Sequence, residues 1–414
     1  INATRALTCR YNAQLSCGRV QTPTLAIVAK REEQIRGFVP RTYYGLRASA
    51  KGITLIWKDG KSGSTRTFDR ERIQGLRRAL EGREAEVREV KAARKKTCAP
   101  LLYDLTELQK DAYKRFGFSP KETLNIMQRL YENHKVLTYP RTDSRYISSD
   151  IVPTIKDRLE ACAVSPYRKL AAKVMRTAVS PKAAFVNDKK VSDHHAIIPT
   201  EQYVELTHMT NEERKIYDLV VRRFLSVLYP PAEYEEIQLT AALGEESFYA
   251  KGRRMLKEGW REVYGADEEE ESEEDEDVKS QSLPRLEKGD RIEGVHLAVT
   301  EGKTKPPARF NEGTLLAAME NPAAYMESHD KQAAKTLGET GGLGTVATRA
   351  DIMDKLFGSF LLEKRGNEIY LTSKAKQLLE LVPADLKKPE LTADWEMKLS
   401  RIADGKLKRS AVMR

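Results

Sequence analysis

Residues 137–148 read LTYPRTDSRYIS and place an arginine two positions after a tyrosine. A tyrosine phenolate can attack phosphorus, and the phosphotyrosine that forms preserves the energy of the broken phosphodiester. An unperturbed phenol titrates near ~10, so this chemistry needs a positive charge close by. Arg141 can supply that charge and can stabilise the negative charge that develops in the transition state. Taken alone, the stretch also fits a tyrosine that packs at a strand end before a turn.

A second stretch, SCGRVQTP at residues 16–23, has the composition of a phosphate-binding turn. Gly18 allows a ligand to approach the backbone, and Arg19 offers a bidentate charge. The following helix would add its N-terminal amides, with Thr22 as N-cap and Pro23 in the first helical position. An ordinary capped helix start explains the same residues equally well.

A third stretch, SDHHAIIPT at residues 192–200, contains the adjacent pair His194 and His195. Adjacent side chains point in different directions and no third ligand follows at helical spacing, so a metal site is a poor explanation. A histidine that donates to a phosphate oxygen, or relays a proton to the leaving 3′ oxygen, fits better. The pattern does not decide which of the two faces a site, and one of them is expected to be structural.

The surrounding pattern predicts the elements that hold these stretches. The first forty residues read as helical, and YYGLRASAKGITLIW predicts a hairpin that turns at Lys51-Gly52. Ser119 to Glu122 form a capping box for a helix whose apolar positions are Leu124, Met127, Leu130 and Tyr131. That helix should end near His134-Lys135, followed by a short strand, VLTY, that stops at Pro140. Strand-like segments resume after residue 231, and the last hundred residues read as helical.

Charge and composition narrow the class of protein. The 414 residues carry a net charge of +10, although residues 267–277 hold ten acids. The remaining 71 basic and 51 acidic residues give +20, as a polyphosphate partner requires. The acidic run itself is typical of a solvated loop. No apolar run approaches the ~18 residues of a membrane span.

Two further motif types point away from metal and nucleotide chemistry. The four cysteines are scattered without a CxxC pair, which argues against zinc and fits a reducing cytoplasm. Gly60-Lys61-Ser62 and Gly302-Lys303-Thr304 lack the glycine five positions earlier that a phosphate-binding loop needs. The sequence therefore predicts no ATP hydrolysis.

Five ordered stretches together resemble a known family. They are SCGRVQTPTLAIV, LTYPRTDSRYIS, SDHHAIIPT, KPPARFNEGTLLAAME and GLGTVATRADIMDKL. Their order is that of type IA DNA topoisomerases, and Pro140, Arg145-Tyr146 and the histidine pair resemble the bacterial topoisomerase III branch. A reverse gyrase module is a more distant resemblance.

The resemblance implies a multidomain α+β fold, a gated torus with helical domains III and IV and a β-rich arch, domain II. The expected segments are domain IV from 1–38 and 302–414, domain II from 39–98 and 232–301, and domain III from 99–231. Domain IV would line the single-strand groove, and domain III would carry the tyrosine and swing away to open the gate.

The same resemblance assigns the site residues. Tyr139 would be the nucleophile that forms a 5′-phosphotyrosine, with Arg141 on the scissile phosphate and His195, or His194 in its place, assisting nearby. Asp143 would orient the arginine. The remaining residues expected to contact DNA are Ser16, Arg19, Gln21, Thr22, Arg145, His194, Thr345 and Thr348.

The family's Mg²⁺ ligands belong to a Toprim domain, which these residues lack, so no metal ligand is expected in this chain. The sequence starts at Ile1 without a methionine and is interpreted as a piece of a longer protein. The expected partner is single-stranded DNA, with RNA as a second candidate, bound by a cytoplasmic, nucleoid-associated monomer that relaxes or decatenates DNA. Without Toprim we expect binding with poor cleavage. The alternative is a non-catalytic single-strand-binding scaffold.

Overall fold

A computed structural model describes residues 2–11, 16–176, 180, 183–265, 278–326 and 331–412. The acidic run at 267–277 lies outside these residues. The helices are α1 (Asn2–Tyr11), α2 (Gln21–Arg36), α3 (Arg70–Leu80), α4 (Leu105–Phe116), α5 (Pro120–Glu132), α6 (Ile155–Cys162), α7 (Arg168–Val174), α8 (Asn211–Leu228), α9 (Glu312–Glu320), α10 (Lys331–Glu339), α11 (Arg349–Gly358), α12 (Ser373–Leu381), α13 (Pro389–Ala403) and α14 (Arg409–Val412). The strands are β1 (Thr42–Ala50), β2 (Ile53–Lys58), β3 (Ala85–Thr97), β4 (Ala232–Leu243), β5 (Glu246–Lys257), β6 (Ser280–Gln281), β7 (Arg291–Ile292), β8 (His296–Lys303), β9 (Leu362–Arg365) and β10 (Glu368–Leu371). In this part of the chain, no helix is both long and apolar enough to span a membrane.

The chain divides into two compact units, and each is assembled from segments far apart in sequence. The first unit comprises Ile1–Gly37, Leu101–Phe224 and Pro307–Arg414, and the second comprises Phe38–Pro100 and Leu225–Pro306. The first unit is mainly helical, and the second contains most of the strands. The predicted five-segment division into domains II, III and IV stays a prediction.

The second unit is built on one curled sheet with the strand order β7-β3-β4-β5-β2-β1-β8, and β6 pairs with β5. Helix α3 covers one face and contributes Ile73 to a core that contains Trp57 and Phe248. The predicted hairpin is confirmed, because Ala50 pairs with Ile53 across the turn. Lys51 and Gly52 have φ of 48° and 80°, the two positive values that such a two-residue turn requires.

In the first unit, the helix that precedes the tyrosine begins at the predicted residue and ends slightly early. The Ser119 side chain accepts a hydrogen bond from the Glu122 amide, and Pro120 occupies the first turn of α5. The helix ends at Glu132 rather than at His134-Lys135. Leu124, Met127 and Leu130 are buried, so the apolar face of α5 packs into the unit.

The predicted strand over residues 136–139 is wrong. Leu137 and Pro199 form only an isolated bridge. Thr138 donates its amide to Ile198 O at 3.0 Å, and Thr200 donates its amide to Val136 O at 3.0 Å. Pro199 sits between these bonds and has no amide hydrogen, and Pro140 lacks one on the other side, so a regular ladder cannot continue.

Asp104, the N-cap residue of α4, has a shifted pKa that makes the stability of the protein depend on pH. Asp104 is 7% exposed and accepts a hydrogen bond from the Glu107 amide at 2.7 Å. Burial raises the pKa of this carboxyl to about 7, and the amide bond opposes the shift. An aspartate in the unfolded chain titrates near 3.8. Between pH 3.8 and about 7 the folded state therefore holds a proton on Asp104 that the unfolded state has lost. The contribution of Asp104 to the free energy of unfolding therefore falls as pH rises through that window.

Asp104→Asn is expected to reduce the fall in the free energy of unfolding with rising pH, because asparagine still caps the helix but does not ionise. The measurement is urea denaturation of the parent and the variant from pH 4 to 8. We expect the difference in free energy of unfolding to grow in favour of the variant above pH 5 and to level off above pH 7. Parallel pH profiles for the two proteins would contradict the shift.

Candidate active site

The segment around Tyr139 is held against the histidine stretch by hydrogen bonds of Thr138. The Thr138 hydroxyl accepts the Ile198 amide at 3.0 Å and donates to Ala196 O at 3.2 Å. Four residues further along, the Thr142 hydroxyl donates to His194 O at 3.2 Å. These bonds bring the second and third motifs side by side, as a shared site requires.

Tyr139 and both histidines line one cavity of about 370 Å³. The lining residues are Thr138, Tyr139, Ser148, Asp150, Asp188, Val191, Ser192, Asp193, His194 and His195. The cavity is therefore polar, with hydroxyl, imidazole and carboxylate groups around a half-buried phenol.

The two histidines occupy different positions relative to the phenol. The exposed His194 ring lies against the Tyr139 ring, with centroids 4.3 Å apart and planes at 35°. His195 is half-buried, and its Nδ1 lies 2.7 Å from Ala196 O, the geometry in which Nδ1–H donates to the carbonyl. Burial lowers the pKa of His195, so its neutral form is favoured and Nε2 remains available as an acceptor. The structure thus packs His194, rather than His195, on the tyrosine.

The Arg141 side chain contacts helix α5 and does not line the cavity. Its Nη1 donates to Gln128 Oε1 at 2.9 Å, and the Gln128 amide in turn donates to Glu132. Among the described residues, those that line the Tyr139 cavity do not include Arg141. The structure therefore brings the tyrosine and the histidines together and holds the arginine side chain against Gln128 of the neighbouring helix.

The other polar residues of the LTYPRTDSRYIS stretch have separate surroundings. Asp143 is exposed, whereas the buried Ser144 donates its hydroxyl to Lys190 O at 2.8 Å. Arg145 Nε donates to Leu102 O at 3.2 Å. The predicted roles of Asp143 in orienting Arg141 and of Arg145 in DNA binding stay predictions.

The start of α2 differs from the prediction. The helix begins at Gln21, so Thr22 is not its N-cap and Pro23 is not its first residue. Thr22 is fully buried, and its hydroxyl accepts the Gly18 amide at 3.1 Å. Its side chain thus closes the preceding turn instead of capping the helix, and the helix starts two residues earlier than predicted, with Val20 as its N-cap. Ser16 Oγ lies 3.5 Å from Gln21 Oε1.

The first and fifth motifs meet in the first unit. A Cβ at Gly344 would lie 3.4 Å from Val20 Cγ1 and 3.4 Å from Thr348 Oγ1. Thr345 and Thr348 hydrogen-bond to each other through their hydroxyls at 3.0 Å. The exposed Arg19 pairs with Glu396 Oε1 at 2.9 Å. These residues form a polar surface whose contact with DNA stays a prediction.

Two residues that sequence reasoning missed contact the predicted catalytic groups. The Tyr131 ring forms a T-shaped pair with the Tyr139 ring, with centroids 5.5 Å apart and planes at 80°. Gln128 holds Arg141. Both lie on α5, and the apolar spacing of that helix gave no sign of either contact because it also fits a plain buried face.

Comparisons with known proteins identify the family of the chain. The family model for DNA topoisomerase matches residues 1–414. A solved structure, full-length topoisomerase I from Thermotoga maritima, superimposes with a TM-score of 0.71 at 26% identity, covering 97% of this chain and 62% of that one. The fold is that of a type IA topoisomerase, and the chain belongs to this family.

The similarity extends to a particular branch. DNA topoisomerase 3 of Bacillus licheniformis is 60% identical over 415 residues, which are 100% of this chain and 56% of the relative. DNA topoisomerase 3 of Bacillus subtilis is 58% identical over 414 residues, 57% of its length. The predicted likeness to bacterial topoisomerase III is confirmed, and the chain spans just over half the length of these relatives.

Proposed function

We propose that this chain is the strand-cleaving core of a type IA topoisomerase that acts on single-stranded DNA. The Tyr139 oxygen attacks phosphorus, the bond from phosphorus to the 3′ oxygen breaks, and a 5′-phosphotyrosine forms. The phenol proton is released and the 3′ oxygen gains one to become a hydroxyl. Attack by that hydroxyl on the phosphotyrosine reseals the strand, so the cycle needs no ATP and relaxes or decatenates DNA. The observation that carries the proposal is the position of Tyr139 in a polar cavity with both histidines.

The two histidines suit different tasks in this reaction. Neutral His195 keeps Nε2 as an acceptor, which suits proton transfer between the phenol and the 3′ oxygen. His194 lies on the phenol ring and suits contact with the scissile phosphate. Arg141 would leave Gln128 and rotate to the phosphate, with Asp143 orienting it.

The DNA strand is proposed to follow the surface where the first and fifth motifs meet. The proposed contacts are Ser16, Arg19, Gln21, Thr22, Asp143, Arg145, His194, Thr345 and Thr348. The adjacency of Gly344 with Val20 and Thr348 supports a continuous path through the first and fifth motifs. Thr22 would act through the turn that it closes at Gly18.

The domain organisation is proposed as the family implies. Domain IV takes 1–38 and 302–414, domain II takes 39–98 and 232–301, and domain III takes 99–231. The sheet-rich unit of Phe38–Pro100 and Leu225–Pro306 supports domain II as a separate body. The helical unit contains the segments proposed for domains III and IV.

The family's Mg²⁺ does not fit the described residues, which contain no group of three or more histidine, cysteine or acidic side chains able to hold a metal ion. No step is therefore assigned to a metal here. We propose that a Toprim domain supplies the Mg²⁺ ligands, and that this chain alone binds single strands but cleaves them poorly. It is proposed to act as a cytoplasmic monomer, and an RNA oligonucleotide used as competitor tests whether RNA binds the same surface.

The test is covalent trapping on a 3′-end-labelled oligonucleotide with Mg²⁺, because a 5′-phosphotyrosine leaves the labelled end on the protein. The chain is assayed alone and joined to a Toprim domain, each with Tyr139→Phe as control. We expect an adduct only from the joined protein with Tyr139, and similar binding by all four.

Three results would count against the proposal. Efficient trapping by the chain alone would contradict the division of the site, and an adduct in Tyr139→Phe would exclude Tyr139 as nucleophile. Binding without any adduct from the joined protein would favour the non-catalytic scaffold.

A further inference from the structure

The backbone around Tyr139 does not by itself fix the orientation of the Tyr139 side chain. Residues 138–145 belong to no helix or strand. A phenol that attacks phosphorus must place its oxygen in line with the leaving 3′ oxygen, and small misplacement slows such a step strongly. The ring of Tyr139 therefore needs neighbours that fix its side-chain torsions.

Two aromatic rings contact the Tyr139 ring among the described residues. Tyr131 forms a T-shaped pair with it, with centroids 5.5 Å apart and planes at 80°. His194 lies on it at 4.3 Å and 35°. Edge-to-face and offset contacts are the preferred geometries of aromatic pairs, so both contacts favour one orientation of the phenol.

The two neighbours differ in how firmly they are held. His194 is exposed and lies in a segment without helix or strand. Tyr131 lies in the last turn of α5, which Ser119 caps and which buries Leu124, Met127 and Leu130. A side chain on a packed helix has few alternative positions. Tyr131 is therefore the fixed side of the pair, and His194 is free to respond to a bound phosphate.

We propose that Tyr131 is a positioning residue that orients the Tyr139 phenol for attack through its ring. This inference rests on the proposed function of Tyr139. The contact is made by ring against ring, so the Tyr131 hydroxyl is not required. The same geometry predicts that a phenylalanine serves equally well and that a side chain without a ring does not.

The test compares Tyr131→Leu with Tyr131→Phe in the chain joined to a Toprim domain. The measurement is the single-turnover rate of adduct formation at saturating DNA, from pH 6 to 9. We expect Tyr131→Leu to slow the step about 10- to 100-fold at every pH, with the DNA dissociation constant unchanged. Tyr131→Phe should retain the parental rate and the parental pH profile. Tyr203→Leu, the same change at an exposed tyrosine, is the matched control.

Each other outcome overturns the proposal. A parental rate for Tyr131→Leu would show that the ring is not needed. A Tyr131→Phe variant as slow as Tyr131→Leu, or one that loses a limb of the pH profile, would make the hydroxyl a proton carrier. A Tyr131→Leu variant that loses DNA binding or melts well below the parent would make the residue structural.

A second measurement does not depend on activity. Fluorotyrosine at position 139 of the chain alone reports the ring environment by fluorine NMR. In the parent and in Tyr131→Phe we expect one fluorine signal shifted away from the value of a solvent-exposed fluorotyrosine. In Tyr131→Leu we expect a signal near that solvent-exposed value. Equal signals in all three would overturn the positioning role. If the joined parent forms no adduct while the signals differ as expected, the proposed function fails and the ring contact stands.

Discussion

Arg141→Ala is expected to slow formation of the covalent adduct by about 10²- to 10³-fold, the effect of removing one group that stabilises developing negative charge. Cleavage adds charge to the phosphate as the phenol oxygen attacks, and Arg141 is the arginine closest in sequence to Tyr139. Its present partner is the neutral amide oxygen of Gln128 at 2.9 Å, so no ion pair has to break when it turns to a phosphate. The measurement is the single-turnover cleavage rate of the chain joined to a Toprim domain.

Two control variants separate charge from geometry. Arg141→Lys keeps the positive charge but loses the planar fork, so an intermediate rate is expected. Lys156→Ala removes one positive charge from an exposed side chain on α6 and should leave the cleavage rate unchanged. A normal rate in Arg141→Ala, or an equal loss in Lys156→Ala, would show that Arg141 has no specific part in the step.

The short-range features were readable from the sequence because local chemistry determines them. Lys51-Gly52 is a turn pair between two alternating segments, and Ser119 stands three residues before Glu122 at a helix start. Both features appear in the structure where the pattern placed them. The cavity that joins Tyr139 to the histidines depends on contacts 55 residues apart, and only the ordered family motifs indicated it.

The features that sequence reasoning missed depend on packing between distant segments. Threonine is a common N-cap residue, but Thr22 is fully buried and its hydroxyl accepts the Gly18 amide. The helix starts earlier, at Gln21. Tyr131 has the spacing of a core residue, like Leu130, yet its ring packs against the Tyr139 ring. The spacing of apolar residues predicts which face of a helix is buried. It does not predict which side chains from other segments contact that face.

Arg349 shows the same limit, since nothing in the stretch GLGTVATRADIMDKL distinguishes a buried arginine from a DNA contact. In the structure it is 2% exposed. Its Nη1 donates to Thr106 Oγ1 at 3.0 Å, its Nε donates to Leu343 O at 3.2 Å, and its Nη2 donates to Gly341 O. The guanidinium therefore joins the start of α11 to the first turn of α4.

Arg349→Ala is expected to lower the free energy of unfolding by about 3 kcal/mol, because three acceptors lose their donor and a cavity remains. Burial lowers the pKa of Arg349, which shows that the charge is held at a desolvation cost. Arg349→Met, which fills the space without a charge or a donor, should therefore recover part of the loss. Urea denaturation of the three proteins at pH 7 measures both differences. A loss below about 1 kcal/mol in Arg349→Ala would mean that water replaces the guanidinium, and an equal loss in both variants would assign the whole effect to the missing hydrogen bonds.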